Sequence, residues 1–319
     1  MASSVTQTAR FSRRSLLRGG LMLGPMAALP GVLGSCSALG LGDTLGDIQD
    51  AGVVRAGYAD ERPFAYEQNG ELTGAVVAVH RAVFDRLGNV DVEGVLVPFR
   101  NLIGGLNDGS FDVVMAGMFV TEDRCDLAAF ADPTYCSRSA LLVRRGNPKD
   151  LSDYASVAAN GATLGVLGGA VEEGYATESG VSDDAIVHVG DQDEGLAKVA
   201  SGQIDAFTLT SISLRTLLDS AGHEDENNAN RVELLEPFEP VVDGEPQRGC
   251  GAAVFRQTDE ELLAAYNEEL AALIEEGRLL ALMEPFGFTE GDLPDPDVTA
   301  DELCETEGVS GSGVDPGPR

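Results

Sequence analysis

The sequence predicts an α/β protein made of two similar lobes around a single cleft. Three observations carry this. Strand-like and helix-like segments alternate along the body of the chain. One short pattern occurs twice, about ninety residues apart. Two apolar strands lie where the chain would pass from one lobe to the other and back.

The first unit opens with Val53-Val54-Arg55-Ala56-Gly57-Tyr58, which reads as a buried strand. A helix follows from about Gly74 to Leu87, with Val76, Val79, Val83 and Leu87 on one face. Val92 to Val97 is the next strand, then a helix around Leu102 to Asn107, then a strand from Phe111 to Ala116. This βαβαβ order implies a mostly parallel sheet covered by helices.

A second unit repeats the plan, with the strand Thr163–Leu167 opening onto Gly168-Gly169 and a helix starting near Val171. The segments Leu102–Val114 and Leu196–Phe207 each run helix, glycine stop, short gap, aspartate, apolar strand. Between the units, Ser139–Pro148 carries a strand leaving the first lobe, and Gly251–Arg256 reads as its returning partner. A long amphipathic helix follows, with Leu262, Leu263, Tyr266, Leu270 and Leu273 on its core side. Two crossings make a hinge, and ligands favour the crevice between such lobes.

The ends of the chain are different in kind. Ser12-Arg13-Arg14-Ser15-Leu16-Leu17-Arg18 has the form of a twin-arginine export signal, and the apolar stretch behind it ends in Leu33-Gly34-Ser35-Cys36, which looks like a bacterial lipobox. Arg18, Pro25, Pro30 and the short span argue against a membrane-spanning helix, which needs about 20 clean apolar residues. The expected layout is a signal peptide over 1–35, lipidation at Cys36 and a tether over 36–48. Lobe 1 spans 49–138 and 251–290, and lobe 2 spans 139–250. Residues 291–319, rich in glycine, proline and acids, read as a disordered tail.

The 319 residues hold 21 basic and 53 acidic side chains, a formal charge of −32. The four arginines of the signal (10, 13, 14 and 18) are not matched by any acid there, so the remainder is more acidic still. Such a surface excludes phosphate-backbone binding as a main activity, so no nucleic-acid partner is expected. No CxxC or Cys/His spacing suggests zinc, His80, His188 and His223 are scattered, and neither a metal nor a cofactor is expected.

Gly57-Tyr58-Ala59-Asp60-Glu61-Arg62-Pro63-Phe64, Gly117–Arg124 and Glu284-Pro285-Phe286-Gly287-Phe288-Thr289 resemble family 3 extracellular solute-binding proteins over nearly the whole body. Within that family, Arg124-Cys125, Val171–Ala176 and the Glu-Pro-Phe-Gly-Phe-Thr segment are similar to ectoine/hydroxyectoine-binding receptors of ABC importers. The resemblance implies a two-lobed periplasmic-binding-protein type II clamp with two crossover strands. It also implies a monomer, held outside the cytoplasmic membrane by its lipid, that passes a zwitterionic solute to an ABC permease and its ATPase.

The resemblance also implies the site. Arg124 would grip a ligand carboxylate through its planar fork, assisted by backbone donors from about Phe119 to Thr121. Amino-acid receptors usually place a carboxylate after the second-lobe strand to hold a primary ammonium. Here that strand continues as Thr208-Leu209-Thr210-Ser211, with hydroxyls only. Phe64, Phe99 and Phe119 follow the first three strands and match an aromatic box for a delocalised cation. Glu61 and Glu172 would accept its N–H groups. Outside the resemblance, each of these has a plainer reading, as core aromatic, solvated loop acid or helix-start carboxylate. Gly165–Gly169 resembles an anion-cradling turn, but no lysine follows it.

Cys136 and Cys250 precede the two crossover strands, so a disulfide joining them and a pair of free thiols both fit. Cys125 is expected to be a free buried thiol, and Cys304 falls in the tail. Three other functions stay open. One is a receptor for a polar or basic amino acid, with Glu172 on the ammonium. The second is an enzyme on the same fold, such as a cyclohexadienyl dehydratase using Glu61 or Glu172 as general acid. The third is a lipoprotein that senses solutes for another receptor.

Overall fold

The structure, a computed structural model, describes residues 44–305 apart from Asp225 and Asp243. The twin-arginine segment, the apolar run and Cys36 lie outside the described residues. In chain order the strands of the two main sheets are β1 (Val53–Tyr58), β2 (Asp91–Leu96), β3 (Val113–Phe119), β4 (Ala129–Phe130), β5 (Tyr135–Ser137) and β6 (Ser139–Arg144), then β7 (Leu164–Leu167), β8 (Ile186–Val189), β9 (Ala206–Thr210), β10 (Val232–Leu234) and β11 (Gly249–Phe255).

Lobe 1 carries the order β2-β1-β3-β11-β4, with β5 also paired to β11, and lobe 2 carries β8-β7-β9-β6-β10. The first three strands of each run are parallel, and the fourth is antiparallel to the third. That fourth strand is in each lobe one of the two crossover strands. The lobes therefore share one plan, closed on the same side by chain that connects to the other lobe.

The repeated sequence pattern has a physical cause. In each lobe a helix ends on a left-handed glycine, Gly109 (φ 79°) or Gly202 (φ 75°), a conformation that disfavours a Cβ. The aspartate that follows receives a backbone N–H from the neighbouring strand's start: Asp112 from Arg55 at 3.1 Å, and Asp205 from Thr163 at 3.0 Å. One phenylalanine then locks helix to sheet. Phe111 fills the space over Gly57 and Gly105, Phe207 the space over Gly195, and Ile204 with Phe207 the space over Gly165, with no room for a Cβ at any of the four.

Helix Ala75–Arg86 buries Val76, Val79 and Val83, and helix Glu260–Glu275 buries Leu262, Tyr266, Leu270 and Leu273, as their spacing predicts. His80 is buried between these helices, its Nδ1 3.1 Å from the Tyr266 hydroxyl, and burial pushes its imidazole down to about 3. Among the described residues no helix is long and apolar enough to cross a membrane.

Four expectations change. The segment 36–48 is not all tether, because Thr44–Ala51 is a helix that buries Ile48 and whose Thr44 hydroxyl donates to Asp259 at 2.7 Å. The return to lobe 1 comes earlier than residue 251, because β11 pairs with β5 from Gly249 onward. Residues 291–305 fold on lobe 1 instead of trailing off: a turn spans Glu290–Asp292, Ala300 is buried at the start of helix Ala300–Glu305, and its N–H donates to Asp132 at 3.1 Å. Cys125 is not a free thiol, since it is bonded to Cys304 of that helix. The low apolar content averaged over 291–319 hid a short anchored stretch. Cys136 and Cys250 face each other across the β5–β11 ladder and are joined by a second disulfide.

Candidate ligand-binding site

The cleft between the lobes holds a small cavity lined by residues that follow the C-terminal ends of parallel strands in both sheets. Lobe 1 supplies Glu61 and Phe64 after β1, Phe99 after β2, and Gly117, Phe119 and Arg124 at and beyond the end of β3. Lobe 2 supplies Ala170, Val171 and Glu172 after β7, and Leu209 and Thr210 at the end of β9.

Six of the seven residues expected to touch a ligand therefore converge on one space. The seventh, Thr121, is half-buried and is not among the lining residues; its carbonyl accepts the backbone N–H groups of Arg124 and Cys125 at 3.1 and 2.9 Å.

The aromatic wall rests on Tyr135, which no sequence motif marks. The Tyr135 ring lies 4.8 Å from that of Phe64 and 6.0 Å from that of Phe119, and its hydroxyl donates to the Gly117 carbonyl. Gly117 has φ 62° and no space for a Cβ, because the Phe64 ring covers it. Nothing in the local pattern marked Tyr135, which reaches this place through the β5–β11 pairing.

Arg124 is 5% exposed. Its Nη1 donates to the Phe119 carbonyl at 2.7 Å, its Nη2 donates to the Gly169 carbonyl of lobe 2 at 2.9 Å, and its guanidinium lies 5.6 Å from the Phe99 ring centre. Burial lowers its pKa, opposed by the charge of Glu172. The glycine turn after β7 thus meets the arginine through a carbonyl. Gly169, at φ 83°, also packs against the Arg100 backbone, where a Cβ would come within 2.9 Å of the Arg100 Cα.

Two carboxylates face the same space. Burial pushes Glu61 up to about 8, with the hydrogen bond from Ser213 pulling it down and the neighbouring Glu172 adding to the rise. Burial pushes Glu172 up to about 7, against its own backbone N–H and Arg124. Ser213, from the first turn of helix Ser211–Glu224 in lobe 2, donates to Glu61 Oε1 at 2.7 Å. The local sequence marks the hydroxyls of 208–211 but not Ser213. A helical spacing of three from Thr210 was the available signal for Ser213. One arginine, two buried acids and three phenylalanines can between them hold an anionic and a cationic group.

Fold and cleft together define a two-lobed ligand-binding protein, closed here by contacts that run between the lobes. The chain belongs to the bacterial extracellular solute-binding proteins, family 3, whose model matches residues 54–289. It is 30% identical over 266 residues, 82% of this chain and 86% of the relative, to a probable amino-acid ABC transporter periplasmic-binding protein of Sinorhizobium fredii. Among solved structures it is similar to EhuB in complex with hydroxyectoine, with a TM-score of 0.73, 33% identity, and coverage of 82% of this chain and 98% of that one. It is also similar to an ancestral amino-acid-binding protein described as a precursor of cyclohexadienyl dehydratase, with a TM-score of 0.65, 25% identity, and coverage of 76% and 99%. Most of the relatives are binding proteins, and enzymes on the same fold occur among them.

Proposed function

We propose that this solute-binding protein captures ectoine or hydroxyectoine, a small zwitterion with a delocalised cation, and delivers it to an ABC permease and its ATPase. The observation that carries this reading is the make-up of the cavity's lining. Arg124 can take a carboxylate, and Glu61, Glu172, Phe64, Phe99 and Phe119 line the same space for a cation. An aromatic face attracts a weakly hydrated cation by about 0.5–2 kcal/mol, and two carboxylates can each accept one N–H of an amidinium. The likeness to EhuB supports the same choice.

Capture proceeds by closure, because a ligand that touches both lobes shifts the equilibrium toward the closed form. The twin-arginine segment and Cys36 complete the reading, as an exported monomer anchored by lipid to the outer face of the cytoplasmic membrane.

A second reading has its own observation. Two carboxylates against one arginine leave the fully ionised site with an excess negative charge, which suits a basic amino acid carrying two cationic groups. Calorimetric titration of the purified protein with ectoine, hydroxyectoine, glycine betaine, proline, arginine and lysine separates the two. Heat from the first two and none from the amino acids is expected. Binding of arginine or lysine without binding of ectoine would replace the first reading by the second.

A further inference from the structure

Glu61 belongs to lobe 1, yet its hydrogen-bond donor comes from lobe 2. The Thr210 hydroxyl donates to Ser213 Oγ at 2.8 Å, and the Ser213 hydroxyl donates to Glu61 Oε1 at 2.7 Å. The Ser213 backbone N–H in turn donates to Thr210 Oγ1 at 3.1 Å, which fixes the pair. Ser213 is fully buried and Glu61 is 8% exposed, so neither exchanges this partner for bulk water while the cleft is shut. The relay has one sense: each hydroxyl spends its proton on the next oxygen, and the last acceptor is the carboxylate.

Burial and a second carboxylate push Glu61 toward its neutral form, and such a donor opposes that push. The groups around Glu61 are Glu172 and Ser213 from lobe 2 and Tyr135 from lobe 1, with Arg124 nearer to Glu172. Of these, Ser213 is the group that favours the charged form of Glu61 by hydrogen bonding.

We propose that Ser213 is a specificity-determining residue of this cleft: it crosses from lobe 2 to hold the Glu61 carboxylate as the ionised acceptor that a cationic group requires, and so makes lobe closure and cation recognition one event. The inference rests on the reading of a cation-binding cleft given above. Ser213 acts through Glu61 and is not among the residues lining the cavity. Before closure Glu61 lacks this donor. After closure it gains it together with the ligand's N–H, so a cation-bearing ligand rewards the closed form more than a neutral analogue does.

The test is a double-mutant cycle read by calorimetry with ectoine as the probe, using wild type, Ser213→Ala, Glu61→Gln and the double variant. Ser213→Ala alone is expected to weaken binding about tenfold, because a hydrogen bond to a charged group is lost. In the Glu61→Gln background the same change should cost less than about threefold, since the charge it serves is gone. Ser213→Thr, which keeps the hydroxyl, should bind within about threefold of wild type, and this comparison stands if the alanine variant fails to fold. An equal loss in both backgrounds, or no loss in either, overturns the proposal.

The proposed ligand and the role of Ser213 fall separately. If wild type does not bind ectoine, the ectoine reading fails, and the cycle is repeated with arginine, whose guanidinium makes the same demand on Glu61. Failure of wild type to bind either probe overturns the role of Ser213 as well.

Discussion

The two lobes share a sheet order but contribute unequally to the cleft. Lobe 1 brings the arginine, all three phenylalanines and Glu61, on loops braced by Tyr135 and by the Cys125–Cys304 bond next to Arg124. Lobe 2 brings Glu172, the hydroxyl relay and a backbone carbonyl. The difference separates two tasks that the common plan leaves open. On the proposed reading, lobe 1 holds most of the ligand's recognition surface, and lobe 2 completes it on closure. Substitutions in lobe 1 should therefore remove binding contacts directly, whereas substitutions in lobe 2 should act through closure.

The largest effect is expected at Arg124. Truncating one side of a buried, hydrogen-bonded charge pair costs about 2–5 kcal/mol, so Arg124→Ala should weaken ectoine binding by about 30-fold or more. Arg124→Lys should recover only part of this, because an ammonium lacks the planar fork. Calorimetry showing near-wild-type affinity for the alanine variant would remove the arginine from the ligand's carboxylate.

Gly169→Ala tests the lobe 2 side without touching a proposed ligand contact. An added Cβ would meet the Arg100 backbone only when the lobes are shut, and overpacking of this kind costs about 1–3 kcal/mol. Affinity should fall, and small-angle scattering should show less compaction on ligand addition than in wild type. Full compaction in the variant would show that the glycine contact does not limit closure.

Phe119→Ala is expected to cost about 1–2 kcal/mol, from loss of one cationic face and of packing on Tyr135. Unchanged affinity would take this ring out of the box.

The two acids predict a pH dependence. Both are raised in the closed cleft, Glu61 to about 8 and Glu172 to about 7. The charged forms are disfavoured there, so closure without a cation loses stability as pH rises from the ordinary carboxylate range through those values. A cation favours the ionised acids, so its binding should strengthen with pH over the same window and release protons. Calorimetry in buffers of different ionisation heat measures that release; a pH-independent affinity with no proton release would contradict the assignment of these acids to the cation.

Much of the fold was legible because the repeated glycine–aspartate device is a local statement about chain geometry. A left-handed glycine ends a helix, and an aspartate then ties the next strand to its neighbour, at Gly109-Asp112 and again at Gly202-Asp205. Helix faces such as Val76, Val79 and Val83 follow from spacing alone.

The charged and aromatic side chains that line the cavity from lobe 1 were legible in the sequence through its resemblance to a known family. The contacts that join the lobes were not. Ser213 to Glu61 spans 152 positions, Arg124 to Gly169 spans 45, and Cys125 to Cys304 spans 179. Partners so distant are set by the meeting of two lobes or by the return of the chain's end, and no local pattern encodes them. Composition misled at the C-terminal end for a related reason, since a few anchored residues such as Ala300 and Cys304 were averaged with a glycine-rich remainder.

The most direct test of the account is a crystal structure of the protein with ectoine. The account predicts a closed cleft, with the ligand carboxylate on Arg124, its amidinium between Glu61 and Glu172, and its ring against Phe64 and Phe119. A ligand bound in the opposite orientation, or outside this cavity, would contradict it.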